Sequence, residues 1–395
     1  MKTLKLLVLA LLATSFTASA QLSAVRKTFE ASRSKRTDII LPQVKGYNVY
    51  KADLHTHTIY SDGDITPAMR VWEAYRDGLD IISITDHMEY RRTEREIYRY
   101  MKDYIRPELR GEKRAINTNV LNTDPDSRGL LVDFNVGYEN AIKEAKKWGV
   151  MVIRGVEITR GKLGDYNALF TTDNNTLYDP NLEQTIRNAR KQGAFIIHNH
   201  PQYSKHTKST MPEHCEDFYR KGLIDGIEVA NSNRMWDRLI TYCIDGGFAP
   251  MSNSDVHYLV SDRYPDSGAE YFRNMTFILA KKCDEKSIKE ALNAKRTIAY
   301  HANMLVGKID LLQAFFKACV KVESLGVCDK NQRVRITNNS SIPFALRWDG
   351  RREAVVYGMS SAVINVNQHS NDLELEILNM LYENKKSPKV MFKLK

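Results

Sequence analysis

The chain has 395 residues, a length at which a single hydrophobic core usually gives way to two domains. Its formal net charge of +10 fits anionic substrates, although Lys and Arg are dispersed along the chain. There is neither a clustered basic stripe nor a recognised nucleic-acid-binding module, which argues against a nucleic-acid-binding protein. No stretch after the N-terminus is apolar enough to form a membrane span.

The first twenty residues have the pattern of a secretory signal peptide. A positively charged start precedes residues 6–12, an apolar run too short to span a bilayer, and residues 18–20 form a small-residue cleavage site. We therefore expect cleavage after Ala20 and a periplasmic or secreted mature protein. Residues 21–46 are then expected to form an N-terminal arm.

A His-x-His pair ends the first strand-like run of the mature chain. Because residues i and i+2 of a strand point to the same side, His55 and His57 can converge on one cation as neutral nitrogen ligands. Asp62 follows five residues later and can bring a carboxylate oxygen to the same place. This stretch predicts the beginning of a metal site.

Four further strand-like runs also end in histidine or acidic residues. The runs and the residues that follow them are 80–85 with Asp86 and His87, 150–153 with Glu157, 194–197 with His198 and His200, and 248–251 with Asp255 and His257. Helical patterns separate the runs, and this alternation indicates parallel strands in a barrel or wound sheet. The carboxyl ends of such strands share one face, where residues far apart in sequence meet.

Residues at strand ends also have ordinary structural uses, such as capping turns and helix N-termini. For a single strand we would favour that interpretation. Five strands with such residues instead favour a multinuclear metal centre, and mixed imidazole and carboxylate ligands suit zinc, iron or manganese better than magnesium or calcium.

These motifs resemble the polymerase and histidinol phosphatase (PHP) family of metal-dependent phosphoesterases. The family's five signatures occur in order over about residues 47–302: His-x-His with a following Ser-Asp-Gly, Thr-Asp-His, Gly-x-Glu, His-Pro, and Ser-Asp-x-His. The resemblance implies a distorted seven-stranded (β/α) barrel that holds two or three divalent metal ions. It also implies a hydroxide that bridges the metals as the nucleophile, with Glu157 and Asp255 as the catalytic carboxylates that hold it.

The resemblance assigns the ligands to three metals. It implies that the first metal binds His55, His57, Glu157 and Asp255, and that Glu157 bridges to the second metal. It implies that the second metal also binds His200. The third metal is implied to bind Asp62, His87 and His257. His198 ranks below His200, as an alternative ligand or a partner of one. Many relatives have a Gly-His-x-Asn segment after the Gly-x-Glu signature, where this chain has Gly164-Asp165-Tyr166-Asn167. Asp165 is therefore a candidate replacement ligand that would make the second position harder.

Two close cations can activate a water, polarise a phosphoryl oxygen and stabilise the leaving oxygen, so no protein nucleophile is needed. The sequence has no Gly-x-Ser-x-Gly elbow and no Gly-rich phosphate loop followed by Lys. For substrate binding we favour Arg160 and Arg234, because each lies a few residues beyond a strand end. A long insertion at residues 90–133 is expected to cover the site as a cap that selects a small substrate.

The strand and helix alternation ends near residue 302, and short strands separated by turns follow. Residues 303–395 therefore predict a small β-sandwich of immunoglobulin-like type that packs against the barrel or shapes its mouth. Five cysteines lie in the second half of the chain without a Cys-x-x-Cys pair. A Cys319–Cys328 disulfide and buried free thiols are equally compatible with this pattern.

The sequence thus predicts a secreted metal-dependent phosphoesterase that acts on a small phosphomonoester or phosphodiester. A hydrolase of carboxyl esters, amides or carbamates on the same metals is one alternative. A binding protein that retains metal without turnover is another. The identity of the substrate and the oligomeric state stay open.

Overall fold

The computed structural model describes residues 36–101, 116–117, 131–201, 213–265, 267, 271–328 and 330–394. The predicted signal peptide and most of the predicted cap lie outside these residues. The chain divides into two compact units, Met1–Asp38 and Ile39–Lys395, and the second contains all the elements below. In the described part of the chain, no helix combines the length and apolar character that crossing a bilayer requires.

The strands of the first three quarters of the chain are short and mostly buried. They are β1 (Asn48–Asp53), β2 (Ile81–Ile84), β3 (Ile116–Asn117), β4 (Leu131–Val132), β5 (Met151–Thr159), β6 (Asp165–Leu169), β7 (Phe195–Asn199), β8 (Gly226–Asn231), β9 (Arg234–Met235), β10 (Ala249–Asn253), β11 (Met275–Ala280), β12 (Thr297–His301) and β13 (Met304–Val306).

Helices lie between these strands, as the alternating pattern predicts, and a further helix, Ile309–Cys319, follows β13. They are α1 (Pro67–Arg76), α2 (Arg92–Met101), α3 (Val136–Trp148), α4 (Leu182–Lys191), α5 (Glu213–Arg220), α6 (Asp237–Asp245), α7 (Val260–Arg263), α8 (Glu285–Asn293) and α9 (Ile309–Cys319). Local sequence sets their ends: Thr66 accepts a hydrogen bond from the Met69 amide at the start of α1, and Gly149 adopts a left-handed conformation after α3.

The C-terminal quarter is almost entirely β. Its strands are β14 (Val320–Cys328), β15 (Asn331–Asn338), β16 (Phe344–Trp348), β17 (Arg352–Val356), β18 (Ser361–Asn367), β19 (Asp372–Ile377), β20 (Met380–Leu381) and β21 (Lys389–Lys393). β14, β15 and β18 form one antiparallel sheet, and β17, β16, β19 and β21 form another. The prediction that strands dominate residues 303–395 is confirmed, but helix α9 at the start of this region departs from an all-β domain. The immunoglobulin-like type stays a prediction.

One large sheet of twelve strands carries the site. Its order is β10-β8-β7-β6-β5-β2-β1-β11-β12-β13-β20, with β9 pairing beside β8. β1, β2 and β5 are parallel, as are β7, β8 and β10, but β6 is antiparallel to both of its neighbours. The parallel pairing expected from the alternation is therefore wrong at β6, and it is wrong again from β11 onwards, where β1–β11, β11–β12 and β12–β13 are antiparallel. Only residues 160–164 join β5 to β6, which is too short for a crossover but sufficient for a hairpin.

The sheet curls so that its two halves meet at the ends of β1 and β10. The Asp255 amide donates to the His55 carbonyl over 2.9 Å, and the His57 amide donates to the Val256 carbonyl over 3.1 Å. Lower in the sheet, the Ser252 amide donates to Thr276 Oγ1 over 3.0 Å. The segments after β1 and β10 are thus neighbours although two hundred residues separate them. The predicted number of seven barrel strands stays a prediction.

Helix α9 packs between the large sheet and the C-terminal sheets. Phe315 stacks on Phe277 of β11 with ring centroids 5.9 Å apart, and Phe316 meets Phe344 of β16 edge to face at 5.0 Å. All four rings are fully buried, and β20 extends the large sheet by pairing with β13. Residues 303–395 thus share a core with the large sheet. The boundary at residue 303 remains a prediction.

All five cysteines are free thiols. Cys319 ends α9 and is buried, whereas Cys328 ends β14 and is exposed. A strand rises about 3.3 Å per residue, so the length of β14 holds the two sulfurs far beyond bonding distance. Of the two alternatives left open by the sequence, the structure has free thiols, but only Cys215, Cys243 and Cys319 are buried as expected, whereas Cys283 and Cys328 are exposed.

Candidate metal centre

Nine of the predicted metal ligands converge where the strands of the large sheet end. Their ligand atoms fall into four overlapping groups, and within each group all atoms lie within 4.8 Å of one another. The nine residues are His55, His57, Asp62, His87, Glu157, Asp165, His200, Asp255 and His257.

The centre of the cluster is formed by the His-x-His pair and two carboxylates. His55 Nε2 and His57 Nε2 lie 3.1 Å apart, and Glu157 Oε2 is 3.2 Å from each of them. Asp255 Oδ1 completes the group at 3.3 Å from His55 Nε2 and 3.1 Å from His57 Nε2. Two nitrogens and two oxygens thus point at one another, which is the arrangement that a shared cation requires.

The Asp62 end of the cluster is rich in nitrogen. Asp62 Oδ1 lies 3.2 Å from His257 Nε2, 3.5 Å from His87 Nε2 and 3.9 Å from His57 Nδ1. Gly63 holds this loop close to the His-x-His segment, because a Cβ atom there would lie 2.8 Å from the His57 carbonyl carbon.

The Asp165 end is rich in oxygen. His200 Nε2 lies 3.8 Å from Glu157 Oε1 and 3.6 Å from Asp255 Oδ2, while His200 Nδ1 lies 3.9 Å from Asp165 Oδ2. His200 and Asp255 have positive φ angles of 28° and 51°, although neither is glycine. Such backbone strain persists only where the surroundings hold it in place, and it is common at functional sites.

The donor atoms of the cluster fit bound divalent metal ions. Among the described residues, three buried atoms of the cluster have no hydrogen-bond partner: His57 Nδ1, Asp62 Oδ1 and Asp165 Oδ1. Buried polar atoms normally have partners, and leaving them without one is costly. Imidazole nitrogens and carboxylate oxygens in this mixture are typical ligands of zinc, iron and manganese.

The buried carboxylates of the cluster also attract positive charge. Burial alone lowers the pKa of His57, but hydrogen bonds and charges from Asp255 and Glu157 raise it to about 10. Although burial raises the pKa of Asp255, the imidazoles of His55, His57 and His200 hold it far below its usual range. Without metal, His57 is therefore expected to keep its proton at neutral pH, whereas burial lowers the pKa of His87 to about 4. Metal binding therefore releases protons, and its affinity rises with pH.

Glu228, in the middle of β8, supports two candidate ligands and was missed from the sequence. Its Oε1 accepts from His55 Nδ1 over 2.9 Å, and its Oε2 accepts from the His200 amide over 2.9 Å. Asn253 and Asn231 donate to the same carboxylate over 2.9 and 2.7 Å. The sequence signal was a charged residue inside the apolar run of β8. The structure buries Glu228 fully, and a buried charge requires partners.

Two further polar residues position the cluster. Asn199 donates from Nδ2 to Glu157 Oε1 over 2.7 Å. Asp86 accepts hydrogen bonds from the Thr58 amide and the Ser61 hydroxyl over 2.6 and 2.9 Å, which fixes the loop after the His-x-His pair. Asp86 therefore stabilises the loop after the His-x-His pair, whereas the neighbouring His87 faces the cluster.

His198, the lower-ranked candidate, does not join the nine. Its Nδ1 is 2.5 Å from the Tyr219 hydroxyl, and its ring stacks on Tyr166. Alternation along β7 turns Asn199 towards the cluster and His198 away from it. His200 would share the side of His198 in a continuous strand, but its left-handed backbone after the end of β7 turns it to the cluster instead.

The two predicted substrate arginines lie in different surroundings. Arg160 Nη2 donates to the Asp179 carbonyl and Thr185 Oγ1 over 2.9 and 3.1 Å, and lies 3.1 Å from Glu89 Oε1. Burial raises the pKa of Glu89 to about 7 although the Arg160 charge lowers it. The structure thus engages Arg160 in a buried network. Its contact with substrate stays a prediction.

Arg234 faces a pocket of about 440 Å³ beside the Asp62 end of the cluster. Arg92 and Arg263 also line this pocket, as do the candidate ligands Asp255 and His257. The lining is completed by Asp62, Asp64, Asn231, Ser232, Asn233 and Tyr258. Three arginines and three candidate metal ligands thus line the same pocket.

Comparison with known proteins agrees with this geometry. The PHP domain family matches residues 53–195. A solved two-domain protein from Bacteroides vulgatus, described as containing a predicted PHP-like metal-dependent phosphoesterase, is 30% identical to this chain with a TM-score of 0.77. That match covers 91% of this chain and 99% of the other. A search of curated proteins gave no match.

Two other solved structures are only weakly similar to this chain, and neither similarity indicates its function. An amidohydrolase from Chromobacterium violaceum, with bound sulfate and no metal, is 15% identical with a TM-score of 0.34, over 53% of this chain and 89% of that one. A lesion-specific endonuclease from Pyrococcus furiosus is 16% identical with a TM-score of 0.38, over 62% of this chain and 56% of that one. The similarity to the Bacteroides vulgatus protein extends over nearly the whole of both chains and confirms the resemblance seen in the five signatures. The chain belongs to the PHP family of metal-dependent phosphoesterases.

Proposed function

We propose that this protein hydrolyses a small phosphomonoester or phosphodiester at the cluster formed by the nine converging residues. One observation carries the proposal: a pocket lined by Arg92, Arg234 and Arg263 opens directly onto Asp62, Asp255 and His257. Guanidinium groups bind phosphate oxygens through paired, charge-assisted hydrogen bonds. The same wall of the pocket therefore provides for both the phosphate and the metals that would activate it.

Each part of the cluster has a separate task in this proposal. His55, His57, Glu157 and Asp255 would hold the first ion, and Glu157 would also hold the second ion with Asp165 and His200. Asp62, His87 and His257 would hold the third. Bound zinc, manganese or iron ions would supply Lewis acidity and lower the pKa of a water. Glu228 and Asn199 keep the ligand atoms in place, and the pocket arginines orient the phosphate towards them.

The proposal is tested by metal content and by a panel of nitrophenyl substrates. We expect two or three transition metal ions per chain of purified protein, as measured by inductively coupled plasma mass spectrometry. We also expect turnover of nitrophenyl phosphate, or of its diester, that chelation removes and metal restores. The panel also contains a nitrophenyl carboxyl ester and a nitroanilide. If only one of these is turned over, the centre would instead be assigned to carboxyl ester or amide hydrolysis. Metal binding without turnover of any substrate would favour a binding protein.

Arg263 provides a prediction about substrate affinity. Its Nη2 donates to the Tyr258 hydroxyl over 3.1 Å, and among the described residues its buried Nε has no hydrogen-bond partner. We expect Arg263→Ala to raise KM for the phosphate ester about 10- to 100-fold, because a hydrogen bond to a charged group contributes about 1.5–3 kcal/mol. Steady-state kinetics would measure the change, and Arg263→Lys should recover part of it.

Arg352→Ala is the matched control for Arg263→Ala. Arg352 lies on β17 in the C-terminal sheets and does not line the pocket. Its loss removes the same charge from the protein and should leave KM unchanged. An equal rise of KM in both variants would show that the pocket does not recognise the phosphate.

We also propose that residues 1–20 direct export and that the enzyme acts in the periplasm or outside the cell. The positive start, short apolar run and small-residue cleavage site support this proposal. N-terminal sequencing of the exported protein should begin at Gln21.

A further inference from the structure

The two ends of the cluster offer different donor atoms to a metal ion. At one end three imidazoles, from His57, His87 and His257, surround the single carboxylate of Asp62. At the other end the carboxylates of Glu157 and Asp165 accompany the single imidazole of His200. One end is therefore rich in nitrogen and the other is rich in oxygen.

Asp165 causes this difference and is placed to act on a cation. It is the first residue of β6, directly after the turn at Gly164, whose φ is +94°. Its Oδ2 lies 3.9 Å from His200 Nδ1, while its Oδ1 is buried and has no hydrogen-bond partner among the described residues. Since Glu157 and Asp255 place further negative charge nearby, a cation is the partner that this carboxylate lacks.

The donor atoms select between metals. Imidazole suits zinc and iron, whereas carboxylate and water suit manganese, and zinc outranks manganese in raw affinity at a given site. An oxygen-rich position therefore favours zinc over manganese less strongly than a nitrogen-rich position does.

We infer that Asp165 makes its end of the cluster a manganese-accepting position in a centre that otherwise prefers zinc or iron. The inference rests on the metal centre of the proposed function and adds that the ions are not equivalent. Manganese in excess would replace the ion held by Glu157, Asp165 and His200 first. The other ions, at the positions with two or three imidazole ligands, would be replaced only later.

Selective exchange of metal ions tests this inference without any assay of activity. Protein loaded with zinc is dialysed against a large excess of manganese, and both metals are counted by mass spectrometry. Electron paramagnetic resonance reports bound manganese independently. We expect one zinc ion per chain to be replaced in the wild-type protein while the others remain. In Asp165→His, which supplies an imidazole, the manganese concentration needed for this exchange should rise at least about tenfold.

Two further variants complete the experiment. Asp165→Asn keeps the size of the side chain but removes its charge, so manganese occupancy of one position should fall while zinc at the others is retained. This variant decides the outcome if Asp165→His does not fold. Asp262→His makes the same change as Asp165→His at an exposed residue of α7 that belongs to none of the candidate groups and does not line the pocket. It should exchange metal as the wild-type protein does.

The outcomes separate this inference from the proposed function. Equal exchange at all positions, or unchanged selective exchange in the Asp165 variants, would overturn the inference and leave the proposed function standing. Selective exchange in a protein that hydrolyses no phosphate ester would support the inference and overturn the proposed function. A wild-type protein that binds no ion would overturn both.

Discussion

Asp255→Asn is expected to reduce turnover of the phosphate ester by at least about 10³-fold. Loss of a residue that only hydrogen-bonds to a metal ligand typically lowers activity or metal affinity by roughly 10- to 100-fold. The Oδ1 atom of Asp255 lies 3.3 and 3.1 Å from the Nε2 atoms of His55 and His57, and its Oδ2 lies 3.6 Å from His200 Nε2. One carboxylate thus serves the first and second proposed metal positions. An asparagine offers one oxygen in place of two, removes a negative charge and turns an NH₂ group towards a cation.

The measurement combines kcat at saturating metal with metal content per chain. Both should fall in Asp255→Asn, while thermal unfolding of the metal-free protein should stay cooperative, because the backbone bond from the Asp255 amide to His55 is retained. Asp262→Asn is the control, since Asp262 is exposed and lies outside the candidate groups. Full activity in Asp255→Asn with an unchanged metal content would remove this carboxylate from the proposed mechanism.

The convergence of the cluster could be predicted because it follows from the geometry of single strands. His55 and His57 are two residues apart and share a side, and the ends of parallel strands lie at one edge of a sheet. Neither step requires knowledge of side-chain packing. This is why residues as distant as His57 and Asp255 could be placed together from their positions relative to apolar runs.

The sequence could not predict features that depend on backbone conformation or on distant partners. His198 lies within β7 and His200 lies just beyond its end with a φ angle of +28°, which no local propensity encodes. The antiparallel β6 reverses the expected pairing because a five-residue turn replaces a crossover. Arg160 pairs with Glu89, which lies 71 residues earlier, and only the fold shows that pairing.

Helix α9 was missed for a different reason. Leu311, Leu312, Phe315, Phe316 and Cys319 are all buried and follow the i, i+3, i+4 spacing of an amphipathic helix, so the signal was present. The turn and strand pattern of residues 303–395 predicts strands and no helix, so α9 at the start of this region is not among the predicted elements. Its aromatic residues join the large sheet to the C-terminal sheets, which the strand pattern alone does not predict.

Glu228→Gln is expected to weaken metal binding about 10- to 100-fold, the usual cost of losing an outer partner of a metal ligand. Because Glu228 accepts from His55 Nδ1, it fixes the tautomer that leaves His55 Nε2 free of a proton and turned to the cluster. The other oxygen of Glu228 holds the amide of His200, whose left-handed backbone needs such support.

Glutamine cannot satisfy all four donors that surround Glu228. His55 Nδ1 and Asn253 converge on one oxygen, and the His200 amide and Asn231 converge on the other. An amide supplies one oxygen, so its NH₂ group must face two of these donors. Asn231 can turn its own oxygen inward, but a backbone N–H cannot turn. The substitution therefore displaces His55 or His200 while preserving the volume of the side chain.

Competition with a chromogenic chelator would measure metal affinity for Glu228→Gln beside the control Asp225→Asn. Asp225 immediately precedes the same strand, at the end opposite the cluster, where it accepts from the Ile196 amide over 2.9 Å and pairs with Arg190. Both variants exchange a carboxylate for an amide and both should lose some stability. Only Glu228→Gln should lose metal affinity, because only Glu228 touches candidate ligands. An equal loss in both variants would mean that Glu228 acts through general stability and does not position His55 and His200.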